Sequence, residues 1–232
     1  MFHTKRKAAD IYYGFPNKKN RKDKKTKDDK EDDSDNESEI KSIFSGLGKK
    51  ADDKKIEREC NHIYFHSEVD RDSIFDLIML IKEAEEESVL TSLKLNVEDI
   101  PIYIHINSYG GSIFAAFGAI DVIKACKVPV HTIIEGATAS AGTLISVVGK
   151  KRYIRPSGYM LIHQLSSSCW GKMSEIEDEF KNLQELMEKI KEIYKDHADI
   201  PKKELNELLK HDLWLNSEKS LKYGLVDEIW NK

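Results

Sequence analysis

Twice in this chain a strand-like run passes through glycine into an apolar, helix-period segment. The run IYIHIN, residues 102–107, leads to Gly110 and Gly111 and then to IFAAFGAIDVIKACK. The run VPVHTII, residues 128–134, leads to Gly136 and then to the small residues of 139–148. β-branched and aromatic residues suit a pleated strand. Glycine reaches backbone conformations that a Cβ would block. Parallel strands need a crossover between them, so a serial strand, turn and helix predicts an α/β fold with a largely parallel sheet.

The flanking segments extend the pattern. HIYFH, 62–66, reads as a strand, and Asp70 can cap a helix whose apolar positions are Ile74, Leu77, Ile78, Ile81 and Ala84. The polar stretch 85–99 is predicted to be a helix end and a loop. Two short strands are expected at 153–154 and 159–162. Ile176, Phe180, Leu183, Met187, Ile190 and Tyr194 mark one face of a helix of about 25 residues. So narrow a seam predicts packing on a second helix or another subunit. Short helices are predicted at 203–210 and 217–223, the second closed by Gly224 in the left-handed position.

Composition narrows the class. The 232 residues suffice for one sizeable core, and no stretch approaches the roughly 18–20 apolar residues of a membrane-spanning helix. The first residues lack the apolar core of a secretory signal, so a cytoplasmic protein is expected. Cys60, Cys126 and Cys169 are too few and too dispersed for a disulfide framework and are read as free thiols. Residues 1–55 carry 16 Lys and Arg against 12 Asp and Glu, and the remainder of the chain is acidic. From 17 to 39 there is no apolar residue, so 1–55 is expected to be a disordered, charged extension. Its basic run, 18–27, is followed by an acidic run, 28–39, that can neutralise it, and no nucleic-acid binding is inferred.

Phosphate and metal chemistry find little support. Gly149 is followed by Lys150 and Lys151 without the hydroxyl residue of a P-loop, so any ATP must be bound by another chain. Cys60, His62 and His66 lack a suitably spaced fourth ligand, so neither a metal nor a cofactor is expected in this chain.

Serine chemistry fares better. Ser140 lies among small residues at a strand-to-helix turn, where first-turn amides favour developing negative charge; taken alone, a serine among alanines is more often a helix-packing residue. Thr138 stands where the G-x-S-x-G elbow would need glycine. NSYGG, 107–111, is a second close-approach turn whose amides could serve as one oxyanion donor, with Ala141 as the other, or it is an ordinary turn. His163 ends an apolar run and could act as a base, although histidines are often structural. Asp212 is one carboxylate among many.

In combination these pieces resemble the proteolytic subunit of the Clp protease, the ClpP family. GATASAGT, 136–143, looks like its nucleophile segment. Arg152, Pro156 and MLIHQ, 160–164, fit its histidine segment, the carboxylate falls at Asp212, and LNSEKSLKYGLVDEI matches the family's end. The resemblance spans about residues 60–232. It implies a ClpP/crotonase-like spiral of β–α units with a protruding handle helix near 173–197, and a ClpP-like serine protease domain over 56–232. It implies Ser140 as nucleophile, His163 as general base and acid, Asp212 as the orienting carboxylate, and Gly111 and Ala141 as oxyanion-hole amides. The activity implied is a serine endopeptidase that cleaves unfolded polypeptides inside a double heptameric ring, fed by a hexameric AAA+ unfoldase that hydrolyses ATP.

The sequence departs from the family at Tyr109 and Leu165, where prolines are usual, at Glu135, usually apolar, and at Thr138, usually alanine. His211 stands for an arginine that contacts the opposite ring. Three other readings share the architecture: a non-catalytic ring subunit, a virion maturation protease, and an acyl-CoA hydratase or isomerase. The last would not need Ser140, His163 and Asp212 together.

Overall fold

The structure, a computed structural model, describes residues 56–231; the extension expected over 1–55 lies outside them. The elements run β1 Ile56–Glu59, β2 His62–Phe65, α1 Arg71–Leu95, β3 Ile102–Ser108, α2 Ile113–Ala125, β4 Val130–Ala139, α3 Ala141–Val147, β5 Lys151–Ile154 and β6 Tyr159–Leu161. They continue with α4 Met173–His197, α5 Lys202–Leu208, β7 Leu215–Asn216, α6 Ser217–Lys222 and β8 Glu228–Ile229. The α/β alternation expected from the repeated units is present.

The sheet follows the order β1-β2-β3-β4-β5-β8, with β6 pairing β4 and β7. Its central pairs, from β2–β3 to β5–β8, are parallel; β1 on β2 and β7 on β6 are antiparallel. β4 organises the rest. Its first half pairs with β3 and β5, whereas Ala137, Thr138 and Ala139 pair with β6. The strand predicted to end before Gly136 therefore continues through it. Gly136 adopts φ 69, and the β3–β4 register shifts between Ile106 and Ser108, so the glycine bends the strand rather than ending it.

The core lies between the sheet and its helices, with Ile63, Phe65, Ile104, Ile106 and Ile134 packed against Ile74, Leu77 and Ile81 of α1 and Ala116, Ala119 and Ile120 of α2. α1 is longer than expected. The stretch read as a loop is helical to Leu95, because its buried stripe continues through Ala84, Ser88 and Ser92. Asp70 caps the start, accepting from the Ser73 amide, and Asn96 closes the end in the left-handed conformation at φ 51.

Arg152 ties the C-terminal segment to the sheet. Its guanidinium donates to the Asp227 carboxylate and to the carbonyls of Gly224 and His197, while Asp227 also accepts from the Arg152 amide at 2.8 Å. α4 has the bounds read from the sequence, but its seam divides. Ile190, Ile193 and Tyr194 are buried near its C-terminal end, whereas Met173, Ile176 and Phe180 stand in water. Half the seam is thus satisfied by the chain's own core. Cys60, Cys126 and Cys169 are free thiols.

Candidate active site

The site is built where β4 runs into α3. Ser140 joins them at φ 54 and ψ −127, outside the regions that L residues normally occupy. A non-glycine residue held there costs about 1–3 kcal/mol and persists only where its surroundings dictate it. They do so here: the Ser140 amide donates to the Leu161 carbonyl at 2.9 Å, and its own carbonyl accepts from the Thr143 amide at 3.0 Å. The side chain makes no capping bond to α3, and the residue is only half-buried, so the hydroxyl is not committed to the helix.

The glycine turn of β3 packs directly on this junction. A Cβ on Gly110 would lie 2.6 Å from Ser140 Cβ and 2.9 Å from the Ala141 amide nitrogen, and Gly110 itself has φ 89. Gly111 follows at φ 145 in a parallel bridge with Val69. That bridge uses the Gly110 carbonyl, which accepts from Val69 N at 2.8 Å, and the Ser112 amide, which donates to Val69 O at 2.6 Å. The Gly111 amide takes no part in it. Ala141 is the first residue of α3, so its amide has no acceptor within the helix. The two amides named as oxyanion donors thus lie on segments packed against each other beside Ser140.

His163 follows β6, whose Leu161 pairs with Ala139 next to the serine. The neighbouring Gln164 amide donates to the Leu209 carbonyl at 2.7 Å, which fixes this segment against the turn after α5. Asp212 lies just beyond that turn, and its Oδ1 stands 4.0 Å from His163 Nδ1. The carboxylate is half exposed and the imidazole about one-quarter exposed. The fold therefore brings the serine's junction, the histidine and the carboxylate to adjoining segments. The pair is at ion-pair distance but longer than a hydrogen bond.

Two departures from the family pattern acquire structural reasons. Thr138, where alanine is usual, donates from Oγ1 to the Ile106 carbonyl at 3.0 Å, at the register shift of β3. Glu135 accepts from His105 Nδ1 at 2.9 Å and from Arg155 Nη2 at 3.0 Å. Burial is the largest influence on Glu135 and opposes ionisation, but bonds from His105 and Arg155 together hold its carboxyl below the ordinary value. An ionised carboxylate only accepts, so His105 Nδ1 carries the proton. In the neutral ring Nε2 then accepts from His62 Nδ1 at 2.8 Å. His105 also stacks on Tyr64 at 4.5 Å, and burial lowers its pKa. None of this network was legible from spacing along the chain. Among the described residues no three His, Cys, Asp or Glu side chains are arranged to hold a metal ion, and no helix is long and apolar enough to cross a membrane.

The chain is similar to several known proteins. The proteolytic subunit 2 of the ATP-dependent Clp protease of Treponema denticola is 37% identical over 131 residues, covering 56% of this chain and 66% of the relative. The corresponding subunit of Deinococcus radiodurans is 32% identical over 130 residues, covering 55% and 64%. That of Streptococcus mutans is 30% identical over 173 residues, covering 71% and 87%. With the first two, the matched region spans just under two-thirds of the relative's length. The mixed sheet and its helices are the ClpP form of the α/β fold, and the family model for Clp protease matches residues 57–232. The chain belongs to the Clp protease family.

Proposed function

We propose that this protein is a serine endopeptidase in which Ser140 is the nucleophile, His163 the general base and then acid, and Asp212 the carboxylate that orients the imidazole. The observation that carries this reading is the strained Ser140 at φ 54, packed against the Gly110 turn and directly before the first amide of α3. A serine hydroxyl is a poor nucleophile at neutral pH until a base takes its proton, and His163 lies on the segment that pairs beside it. As the hydroxyl attacks a peptide carbonyl, His163 accepts the proton and Asp212 stabilises the imidazolium. The tetrahedral oxyanion is received by the two amides, and His163 then returns the proton to the leaving amine. Water repeats the sequence on the acyl-enzyme.

The wider reading follows the family. Substrates are unfolded polypeptides, cut inside a double heptameric ring in the cytoplasm. A hexameric AAA+ unfoldase of the Clp type hydrolyses the ATP, and this chain needs no cofactor. The exposed apolar half of α4, with Met173, Ile176 and Phe180, supports self-association. A virion maturation protease would use the same chemistry without an unfoldase. A non-catalytic ring subunit or an acyl-CoA hydratase or isomerase would not need the three residues together.

The test is incubation with a fluorophosphonate followed by mapping of the modified residue. Modification of Ser140, with none in Ser140→Ala, is expected. An unmodified protein, or modification elsewhere, overturns the reading.

A further inference from the structure

Behind the nucleophile turn two hydroxyls stand in line. Thr143 Oγ1 donates to the Ser140 carbonyl at 2.6 Å, and Tyr194 OH lies 2.7 Å from Thr143 Oγ1. The carbonyl has no proton to give, so Thr143 supplies the one between them. With that proton committed, Tyr194 must be the donor in the second bond. The order is therefore Tyr194 to Thr143 to Ser140. Thr143 is fully buried and Tyr194 is 1% exposed. Burial pushes the Tyr194 phenol well above its ordinary pKa, against the smaller opposing effect of the Thr143 bond, so the donor keeps its proton at working pH.

The Ser140 carbonyl and the Ala141 amide are opposite edges of one planar peptide unit and point in opposite directions. Fixing the carbonyl fixes the aim of the N–H. We propose that Thr143 and Tyr194 are positioning residues that hold the Ser140–Ala141 peptide plane, and with it the Ala141 oxyanion donor, making catalytic competence depend on the seating of α4. This rests on the reading of Ser140 as nucleophile. A purely structural pair would satisfy two buried hydroxyls and leave turnover untouched. The donor matters most when charge develops, so loss of alignment falls on kcat and on the rate of fluorophosphonate attack, while KM stays nearly constant.

The test compares full-length wild type, Thr143→Val, Thr143→Ser, Tyr194→Phe and the Val/Phe double variant in hydrolysis of a short fluorogenic peptide and in fluorophosphonate labelling rate. Deleting an oxyanion donor costs about 10²–10³ in kcat, and here the Thr143 amide still holds the carbonyl, so roughly a tenfold loss is expected for Thr143→Val. Tyr194→Phe should lose less, with KM within about twofold in each case, and Thr143→Ser should recover most of the rate. The double variant should be no worse than Thr143→Val, because the two hydroxyls act in series. Wild-type labelling rates in both single variants, a loss confined to KM, additive losses, or failure of Thr143→Ser to recover would overturn the positioning role while leaving the nucleophile intact. If Thr143→Val does not fold, Tyr194→Phe, which keeps the buried ring, decides alone. Absence of labelling at Ser140 in the wild type would overturn the nucleophile reading, and this inference with it.

Discussion

His163 Nδ1 and Asp212 Oδ1 stand 4.0 Å apart, with the carboxylate half exposed. At this distance the carboxylate does not yet lock the imidazole, and catalytic hydrogen bonds are often long before substrate arrives. The three residues should therefore differ in what their loss costs.

Ser140→Ala and His163→Ala should each lower peptide hydrolysis by about 10⁶, since either deletion removes the unit's chemistry. Asp212→Asn should cost about 10⁴, because it disturbs the base without deleting it. Steady-state kinetics on a short peptide check the order. Asp212→Asn as damaging as Ser140→Ala would remove the orienting role.

Gly110 has no room for a side chain. In Gly110→Ala the new Cβ would meet Ser140 Cβ at 2.6 Å and the Ala139 carbonyl at 2.8 Å, at a φ of 89 that alanine rarely adopts. Labelling of Ser140 should be abolished. Gly118, inside α2, has nothing within 4 Å of its notional Cβ. Gly118→Ala should therefore stabilise the fold by about 0.5–1 kcal/mol through helix propensity alone and leave labelling unchanged. Thermal unfolding and labelling, measured on both variants, separate the two outcomes.

Thr138→Ala, which restores the residue usual in the family, should destabilise the protein by about 1 kcal/mol. It removes the donor to the Ile106 carbonyl at a point where the β3–β4 ladder is already out of register. Urea unfolding of the two forms is the measurement. Equal midpoints would mean that water replaces the hydroxyl without cost.

Stability should fall on mild acidification. Burial lowers the pKa of His105 and of His131, the latter helped by Lys151. Groups whose folded pKa is depressed bind fewer protons in the folded state, so their contribution is complete above the ordinary histidine value of about 6.5 and is lost as pH falls through the folded value. The unfolding midpoint should drop between about pH 7 and pH 5. His131 Nδ1 is buried without a hydrogen-bond partner, so His131→Phe should flatten that drop. A drop as steep as in the wild type would exclude His131 as a contributor.

The legibility of this chain in its sequence followed the range of the interactions involved. The strand-to-helix turn at Ser140, the short strand before His163 and the long helix could be read because each is written in consecutive residues. α1 beyond Ala84 could not, because Ser88 and Ser92 carry its buried stripe, and serine in a polar run reads as solvent-facing. Gly136 reads as a turn because glycine permits one; pairing of Ala137–Ala139 with β6 keeps the strand going. Strands of two residues, β7 and β8, have no periodicity to detect. The Thr143–Tyr194 bond joins residues 51 positions apart, and the His105–Glu135–Arg155 network joins β3, β4 and the residue that follows β5. Nothing local announces either contact.

Self-association through the exposed half of α4, as proposed, would make stability partly a matter of numbers of molecules. Met173, Ile176 and Phe180 remain in water in the single chain, and covering a side chain of this size is worth about 1.5–3 kcal/mol. Any association that covers them draws the folded state forward by mass action. The unfolding temperature of such an assembly would be a property of the solution and would rise with concentration, so a value measured at one dilution would not describe the protein at another.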